Sequence, residues 1–179
     1  MRFSALLKIA AVSLLAAGLA APAIPQSASQ NDVARQIVGT WRMVRVEGTG
    51  IGSGPGEHPR GYIMYDSTGH MGVHECFDCE RPAMKRGPDG EPTPEEMAKA
   101  YTNYHAYFGT YSVDAKAGTI THHVEGGISP GGIGHDNVRY FELKGNRVTL
   151  FVASVKNGVV QKKAETTRRL IWERVEPKK

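Results

Sequence analysis

The feature that most constrains the fold is a series of short β-forming segments separated by tight turns. Turn sequences recur at Asp66-Ser67-Thr68-Gly69, at 114–118, at Gly145-Asn146 and at Asn157-Gly158. The segments between them are rich in Val, Ile, Thr and aromatic residues, which favours strands. The pattern predicts eight strands, at 41–46, 62–65, 70–75, 107–113, 119–125, 138–143, 147–153 and 167–175.

Short connections join most of these strands in sequence order, which is typical of a meander. An open meander would expose two hydrogen-bonding edges, whereas closure removes both. The sequence therefore predicts an all-β fold, an eight-stranded up-and-down barrel, with a two-sheet sandwich as the alternative. The length of 179 residues suits one domain of ordinary size, and an apolar fraction of 40% is typical of a globular protein.

Two helices are predicted beside the strands. Asp32 is predicted to cap a short helix before the first strand. A second helix is predicted over 94–106, inserted between the third and fourth strands, with Thr93 as its N-cap and Pro94 as its first residue. Its apolar side chains recur at helical spacing: Met97, Tyr101, Tyr104 and Phe108.

The N-terminus is predicted to be a secretory signal peptide. Arg2 and Lys8 precede an apolar run over 9–20, and Ala21-Pro22-Ala23 fits a small-residue cleavage signal. The apolar run is shorter than the ~20 residues that a membrane-spanning helix needs, and no later segment is apolar enough to span a bilayer. We therefore expect an exported protein, periplasmic or secreted, with no membrane span.

This prediction divides the chain into four parts. They are a signal peptide at 1–23, a linker and short helix at 24–36, the barrel domain at 37–175 and a tail at 176–179. The formal net charge is +4, and the signal peptide carries two of the positive charges. The remaining charge is small and evenly spread, so nucleic acid is not an expected partner.

Five stretches of the chain carry a family resemblance. They are Gly39-Thr40-Trp41, Arg60–Asp66, Tyr104–Tyr111, Gly118–Gly126 and Arg169–Arg174. Together they resemble the bacterial and fungal lipocalin-like domain family over about residues 37–175. The first resembles the G-x-W signature that opens lipocalins, and either Arg169 or Arg174 resembles the arginine that packs over its tryptophan.

The resemblance implies a small lipocalin-like barrel with a helix inserted midway. It also implies a pocket for a small, partly apolar molecule, and it implies no defined activity. Paired cysteines, here Cys76 and Cys79, are not expected in this family, so the resemblance assigns them no role.

Strand alternation places one of two adjacent histidines inside the barrel. Along 119–125, one face carries Ile120, His122 and Val124, and the other carries Thr121, His123 and Glu125. If the apolar face packs outward, His123 and Glu125 line the cavity. There they would flank a substrate as base and acid, or only contact a ligand. A His–Glu pair on the surface is the alternative.

Tyrosines are further candidates for ligand contact. Each offers an apolar face and a hydroxyl, which suits an aromatic or oxygenated ligand, although ordinary core packing also explains them. The predicted ligand contacts are Tyr62, His70, Tyr104, Tyr107, His123, Glu125 and Tyr140, and His70 is also a catalytic candidate. Arg139 and Glu142 lie on opposite faces of the sixth strand, so one of them is expected inside and paired.

His74, Cys76 and Cys79 form the sharpest local cluster. A Cys76–Cys79 disulfide is the leading interpretation in an oxidising compartment, with free or redox-active thiols and a metal site as alternatives. The usual c-type haem attachment is excluded because Glu80, not His, follows Cys79. No nucleotide-binding, hydrolase or zinc-protease motif is present, and no cofactor or metal is predicted.

These features predict a protein that binds a small hydrophobic or aromatic molecule in the cavity of the barrel. The alternative is a cofactor-free enzyme, of the isomerase, cyclase or hydratase type, that uses His123 and Glu125 in the barrel. A metal or redox protein built on the cysteine cluster and a structural role in the cell envelope are further alternatives.

Overall fold

The computed structural model describes residues 29–48, 58–80, 82–157, 159–163 and 168–176. The predicted signal peptide, most of the linker and most of the tail lie outside these residues. The described elements, in chain order, are α1 (Gln30–Ile37), β1 (Gly39–Gly48), β2 (Arg60–Tyr65), β3 (His70–Cys76), α2 (Pro94–Asn103), β4 (Tyr104–Asp114), β5 (Thr119–Gly127), a short 3-10 turn (Pro130–Gly132), β6 (Asp136–Lys144), β7 (Arg147–Val152), β8 (Val155–Lys156), β9 (Val159–Val160) and β10 (Arg168–Arg174).

Eight of these strands close into one antiparallel barrel, which confirms the predicted fold. The neighbour order is β1-β10-β7-β6-β5-β4-β3-β2, and β2 pairs with β1. Strands β1 to β7 follow one another as an up-and-down meander, and β10 closes the barrel between β7 and β1. Strands β8 and β9 form a separate two-stranded hairpin around Asn157.

Helix α1 begins at Gln30, before the predicted cap. Ser29 is the N-cap: its hydroxyl accepts a hydrogen bond from the Asp32 N–H at 3.2 Å. The Asp32 carboxylate accepts one from the Ser29 N–H at 3.4 Å, which completes a capping box. Asp32 therefore stabilises the helix start from inside the first turn, and the prediction that it is the cap residue itself is wrong.

Helix α2 ends at Asn103, three residues before the predicted end at 106. Asn103 anchors the helix end to the loop after β3. Its side chain accepts a hydrogen bond from the Asp78 N–H at 3.0 Å and donates one to the Asp78 carbonyl at 2.5 Å. The chain is extended from Tyr104 onward. His105, which the predicted helix would have included, consequently lies on a strand of the barrel.

The end of the barrel beside α1, here the closed end, is sealed by Trp41 and Arg174. Trp41 is fully buried, and the Arg174 guanidinium carbon lies 4.1 Å from the centre of a Trp41 ring. The same guanidinium donates to the Val38 carbonyl at 2.7 Å and to the Gln36 carbonyl. Of the two arginines that the sequence offered for this role, Arg174 holds it and Arg169 does not.

Gly39 connects α1 to β1 at the closed end. Its φ of 138° lies in the region that favours glycine. A Cβ at this position would also meet the Arg174 guanidinium. The backbone conformation therefore favours glycine, and a Cβ here would also force the Arg174 guanidinium to shift.

Apolar side chains fill the barrel near the closed end. The fully or nearly fully buried members are Trp41, Ile63, Met71, Val73, Ile120, Val148, Leu150 and Trp172. The alternation of buried with more exposed residues along β3 and β5 makes this core one face of the sheet. Within the described residues, neither helix has the length and apolar character to cross a bilayer.

Candidate functional site

The opposite end of the barrel, here the open end, contains a pocket of about 330 Å³. Helix α2 and the loop after β5 form its rim, and the inner faces of the strands form its floor. Its apolar and aromatic lining consists of Phe77, Tyr101, Tyr104, Ile128, Val152 and Leu170. Its charged or titratable lining consists of Glu75, His105, Arg139 and Arg168.

Four different strands supply the charged or titratable side chains. Glu75 lies on β3 and His105 directly opposite it on β4. Arg139 lies on β6, and Arg168 is the first residue of β10. Glu75 and Arg139 are buried, with 5% and 9% of their surface exposed. Barrel closure is what brings these four strands around one space.

His105 and Glu75 form a hydrogen-bonded pair in the pocket. His105 Nδ1 lies 3.0 Å from Glu75 Oε2. Because an ionised carboxylate only accepts hydrogen bonds, Nδ1 is the protonated nitrogen, and Nε2 of the neutral ring carries the lone pair. The side chain of His105 is 40% exposed and that of Glu75 is 7% exposed. The carboxylate is thus shielded from water while the imidazole reaches the pocket.

The two arginines bring more positive charge into the pocket than Glu75 compensates. The Arg168 guanidinium carbon lies 4.3 Å from the centre of the Phe77 ring, and its buried Nη2 has no hydrogen-bond partner. Burial lowers the pKa of Arg168, but a guanidinium stays protonated at neutral pH. Arg139 donates to the carbonyl of its neighbour Val138 at 3.1 Å and to the Tyr107 hydroxyl, both of which are uncharged. One positive charge is therefore left over among the described lining residues.

A neutral hydrogen-bonded layer lies between the pocket and the closed end. His122 Nε2 is 2.8 Å from the Tyr65 hydroxyl, and its Nδ1 is 2.7 Å from the Tyr107 hydroxyl. Burial lowers the pKa of His122 well below its ordinary value, and nearby Arg139 adds to that effect. Burial raises the pKa of Tyr107 to about 12 and that of Tyr65 well above its ordinary value. The layer therefore carries no negative charge that could offset Arg139 near neutral pH.

The neutral imidazole of His122 also fixes the direction of both hydrogen bonds. Such a ring has one N–H donor and one acceptor nitrogen. One of the two tyrosines must therefore donate to the ring while the other accepts from it. Both ring nitrogens are occupied within the core, so His122 has no nitrogen free for a ligand.

Strand β5 faces the core with its apolar set, so the orientation that would place His123 and Glu125 in the cavity is not found. Ile120 and Val124 are buried with His122 on the inner face. His123 lies on the outer face, where its Nδ1 is 2.7 Å from Asp136 Oδ1 and its Nε2 is 3.1 Å from Ser112 Oγ. Glu125 is exposed. Burial of the two aliphatic side chains sets this orientation.

Two of the predicted ligand contacts lie at or beneath the pocket. Tyr104 is at the rim, with its hydroxyl 3.0 Å from His74 Nδ1. Tyr107 is inside the barrel, but its hydroxyl binds His122. Tyr104 is thus the one predicted tyrosine that lines the pocket.

Three other predicted contacts lie outside the barrel. Tyr62 is 47% exposed, and Tyr140 lies on the outer face of β6. His70 is exposed at the closed end, with Nδ1 2.8 Å from the Thr68 hydroxyl. The structure does not bring these side chains together with the residues that line the pocket.

Sequence reasoning missed Glu75, His105 and Arg168. Alternation was the available signal: His105 lies two residues before inward-facing Tyr107, and Arg168 two before inward-facing Leu170. The sequence analysis expected either Arg139 or Glu142 to lie inside the barrel, without choosing between them, and Arg139 is the one inside. The other, Glu142, lies at the surface and pairs with Lys163.

A disulfide joins Cys76 to Cys79 at the end of β3, with the Cα atoms 5.7 Å apart. His74, the third member of the sequence cluster, binds the Tyr104 hydroxyl. Across the part of the chain that the structure describes, no group of three or more His, Cys, Asp or Glu side chains could hold a metal ion. The disulfide fixes the loop that carries Phe77 into the pocket.

Comparison with known families adds one positive finding. The model of the Lipocalin-like domain family matches residues 38–175. The match begins just before β1 and ends just after β10, so it spans the whole barrel. No curated protein matches the sequence.

Proposed function

We propose that this chain, which belongs to the lipocalin-like domain family, is an exported protein that binds a small, partly apolar acid in the pocket at the open end of its barrel. A lipocalin-like barrel suggests small-molecule binding. The observation that carries the proposal is the union, in one pocket, of an apolar wall with an uncompensated positive charge.

The apolar wall supports a ligand with a hydrophobic or aromatic body. Ligand pockets are mostly apolar, with a few polar groups that fix orientation. Phe77, Val152 and Leu170 provide such a surface beneath the aromatic rim. At about 330 Å³, the pocket lies at the lower end of the usual range of about 300–1,000 Å³. This size favours a molecule of one to three rings over a long lipid.

The charge balance supports an acidic group on that ligand. Arg139 and Arg168 face a single carboxylate, that of Glu75. Charge held away from water without a partner is unfavourable, and a ligand anion would relieve it. Planar guanidinium groups also match the geometry of carboxylates. We therefore assign the acidic group to the side of the pocket that carries Arg139 and Arg168.

Export is supported by the sequence of the first 23 residues. Their basic start, apolar run and small-residue end fit a signal peptide. The Cys76–Cys79 disulfide also supports export, because disulfides form and persist in oxidising compartments. Expression with secretion and measurement of the mature mass tests this part, which fails if the first 23 residues are retained.

Paired fluorescent probes test the binding proposal. Anilinonaphthalene sulfonate carries an acid group, and N-phenylnaphthylamine has the same aromatic body without it. We expect both to bind, the sulfonate more tightly. Arg168→Met should weaken the sulfonate by about tenfold or more, a change of about 1.4 kcal/mol, and should leave the neutral probe within about twofold.

Arg169→Met is the matched control. Arg169 is the next residue on β10, faces outward, and has its Nε 3.4 Å from a carboxylate oxygen of Glu47. It should leave both probes unaffected. Failure of the protein to bind either probe would contradict the proposed function. Equal losses of sulfonate binding in the two variants would place the anion on the surface and not in the pocket.

A cofactor-free enzyme is the second candidate function. The observation that favours it is the His105–Glu75 pair inside the pocket. This pair occupies the place that the sequence analysis gave to His123 and Glu125.

A further inference from the structure

We infer that His105, oriented by Glu75, is a general base that acts on the ligand of the open-end pocket, so the protein catalyses proton transfer. This inference rests on the proposed function, because the substrate must enter the same pocket. It goes further by assigning a reaction class and the residue that carries out the proton transfer.

The hydrogen bond to Glu75 gives His105 the form that a base requires. It fixes the tautomer with Nδ1 protonated and the ring orientation, and the basic lone pair is then on Nε2. Among the described contacts Nε2 has no hydrogen-bond partner. Glu75 is almost completely buried, so water competes little for its oxygen atoms. A carboxylate in this position also stabilises the imidazolium that forms when His105 takes a proton.

The arginines provide the second requirement, a place for developing negative charge. Arg139 and Arg168 line the same pocket as His105. Guanidinium groups in a water-poor site stabilise an oxyanion as it forms. Base and oxyanion donors thus come from β4 on one side and from β6 and β10 on the other.

The step requires no cofactor. Nε2 of His105 removes a proton from a carbon next to a carbonyl group. The electron pair of that C–H bond becomes a carbon–carbon double bond, and the carbonyl π pair moves to oxygen, which the arginines stabilise. The imidazolium then returns the proton to oxygen or to another carbon. The overall reaction is an isomerisation, either keto–enol tautomerisation or a double-bond shift, in an acid-bearing carbonyl compound.

The molecule contains an internal control for this assignment. His123 is also bonded through Nδ1 to a carboxylate, that of Asp136, at 2.7 Å. Its side chain is 42% exposed, close to the 40% of His105. It lies on the outer face of β5, away from the two arginines. Because His123 Nε2 also lies 3.1 Å from Ser112 Oγ, the matched comparison is made in Ser112→Ala, which frees that nitrogen. A difference in reactivity between the two histidines of that variant reports the pocket and not the pairing or the exposure.

Alkylation by bromoacetate and by neutral bromoacetamide tests the base directly. Nε2 attacks the methylene carbon and bromide leaves, and peptide mapping identifies the modified histidine. We expect bromoacetate to modify His105 at least about tenfold faster than His123. Arg168→Met should remove the preference of His105 for the charged reagent. Glu75→Gln should slow His105, whereas Asp136→Asn should not.

Equal bromoacetate rates at His105 and His123 would overturn the inference. The proposed function would survive that result if anilinonaphthalene sulfonate still binds and still requires Arg168. Loss of probe binding as well would contradict both. Retained binding of the neutral N-phenylnaphthylamine shows that a variant is folded, so a folding defect is distinguished from loss of the arginine.

Phenylpyruvate tests the reaction class, since it combines an aromatic ring, a carbonyl and a carboxylate. At a concentration that displaces anilinonaphthalene sulfonate, we expect wild-type protein to accelerate deuterium exchange at its methylene carbon by about a hundredfold or more. His105→Gln should abolish the acceleration, and His123→Gln should retain it. Exchange that is no faster with protein than without it would overturn the proton-transfer assignment.

Discussion

Two arginines on the inner face of β10, six residues apart, show how the two ends of the barrel differ. Each lies over an aromatic ring, Arg174 over Trp41 at 4.1 Å and Arg168 over Phe77 at 4.3 Å. Arg174 donates to two backbone carbonyls, whereas Arg168 keeps a buried nitrogen without a partner. On the same strand, Arg174 therefore completes the fold at the closed end, whereas Arg168 remains able to bind a ligand at the open end.

The two His–carboxylate pairs also resemble each other locally but differ in their surroundings. His105–Glu75 and His123–Asp136 share the Nδ1 contact and a similar exposure of the imidazole. Only the first is surrounded by arginines and an apolar wall. A histidine paired with a carboxylate therefore does not by itself identify a site in this protein. The site is identified by the arginines and apolar side chains that the barrel places around one of the two pairs.

Trp41→Ala is expected to have the largest effect on stability, because it removes the main core residue of the closed end. Removing this fully buried ring should lower the free energy of unfolding by about 3–5 kcal/mol. Urea denaturation measures the loss, and Phe108→Ala, at a residue 59% exposed, should change it by less than about 0.5 kcal/mol. A Trp41→Ala protein as stable as wild type would show that the closed end does not hold the barrel together.

Arg174→Met and Arg168→Met should have opposite consequences. Arg174→Met removes the hydrogen bonds to Val38 and Gln36 and should lower the free energy of unfolding by about 1–3 kcal/mol, with probe affinity in the folded protein unchanged. Arg168→Met should leave stability equal or slightly higher, because it removes an unpaired buried donor. Urea unfolding and probe titration on both variants measure the difference. Similar stability losses would contradict the division between the ends.

Replacing both Cys76 and Cys79 by Ser should have a smaller effect, centred on the open end. The bridged cysteines are only three positions apart, so the chain-entropy stabilisation is about 2 kcal/mol or less. The loop that they fix carries Phe77, so probe affinity should fall as well. Thermal unfolding and probe titration test this, and a loss as large as that of Trp41→Ala would mean that the disulfide also supports the closed end.

The layer formed by His122, Tyr65 and Tyr107 should make the free energy of unfolding depend on pH. The pKa of His122 is lowered in the folded protein, so below about pH 6.5 the unfolded chain binds a proton that the folded protein does not. Stability should therefore fall as the pH drops below that value, by at most about 1.4 kcal/mol per pH unit. Urea unfolding from pH 7 to pH 5 measures this slope.

His122→Gln should flatten the slope, since glutamine keeps one donor and one acceptor without titrating. His123→Gln should leave the slope in place, because that histidine is on the outer face. An unchanged slope in His122→Gln would assign the acid sensitivity to another group.

The sequence by itself determined the strands and their closure. Turn residues and β-forming segments predicted all eight barrel strands, and the cost of open edges predicted the barrel. Gly39-Thr40-Trp41 resembled the signature that opens lipocalins, although two arginines remained possible for the residue above the tryptophan. These features are local, or follow from a general rule on sheet edges, which is why the chain alone sufficed.

The tertiary structure alone decided what the pocket contains. Alternation requires neighbours on a strand to face opposite sides, but it does not say which side is inside. For β5 the core selected the face of Ile120, so His123 lies outside. The end of α2 depended on contacts of Asn103 with the distant Asp78, and that contact placed His105 on a strand. Glu75, His105, Arg139 and Arg168 are separated by up to 93 positions in the chain, and only barrel closure makes them one site.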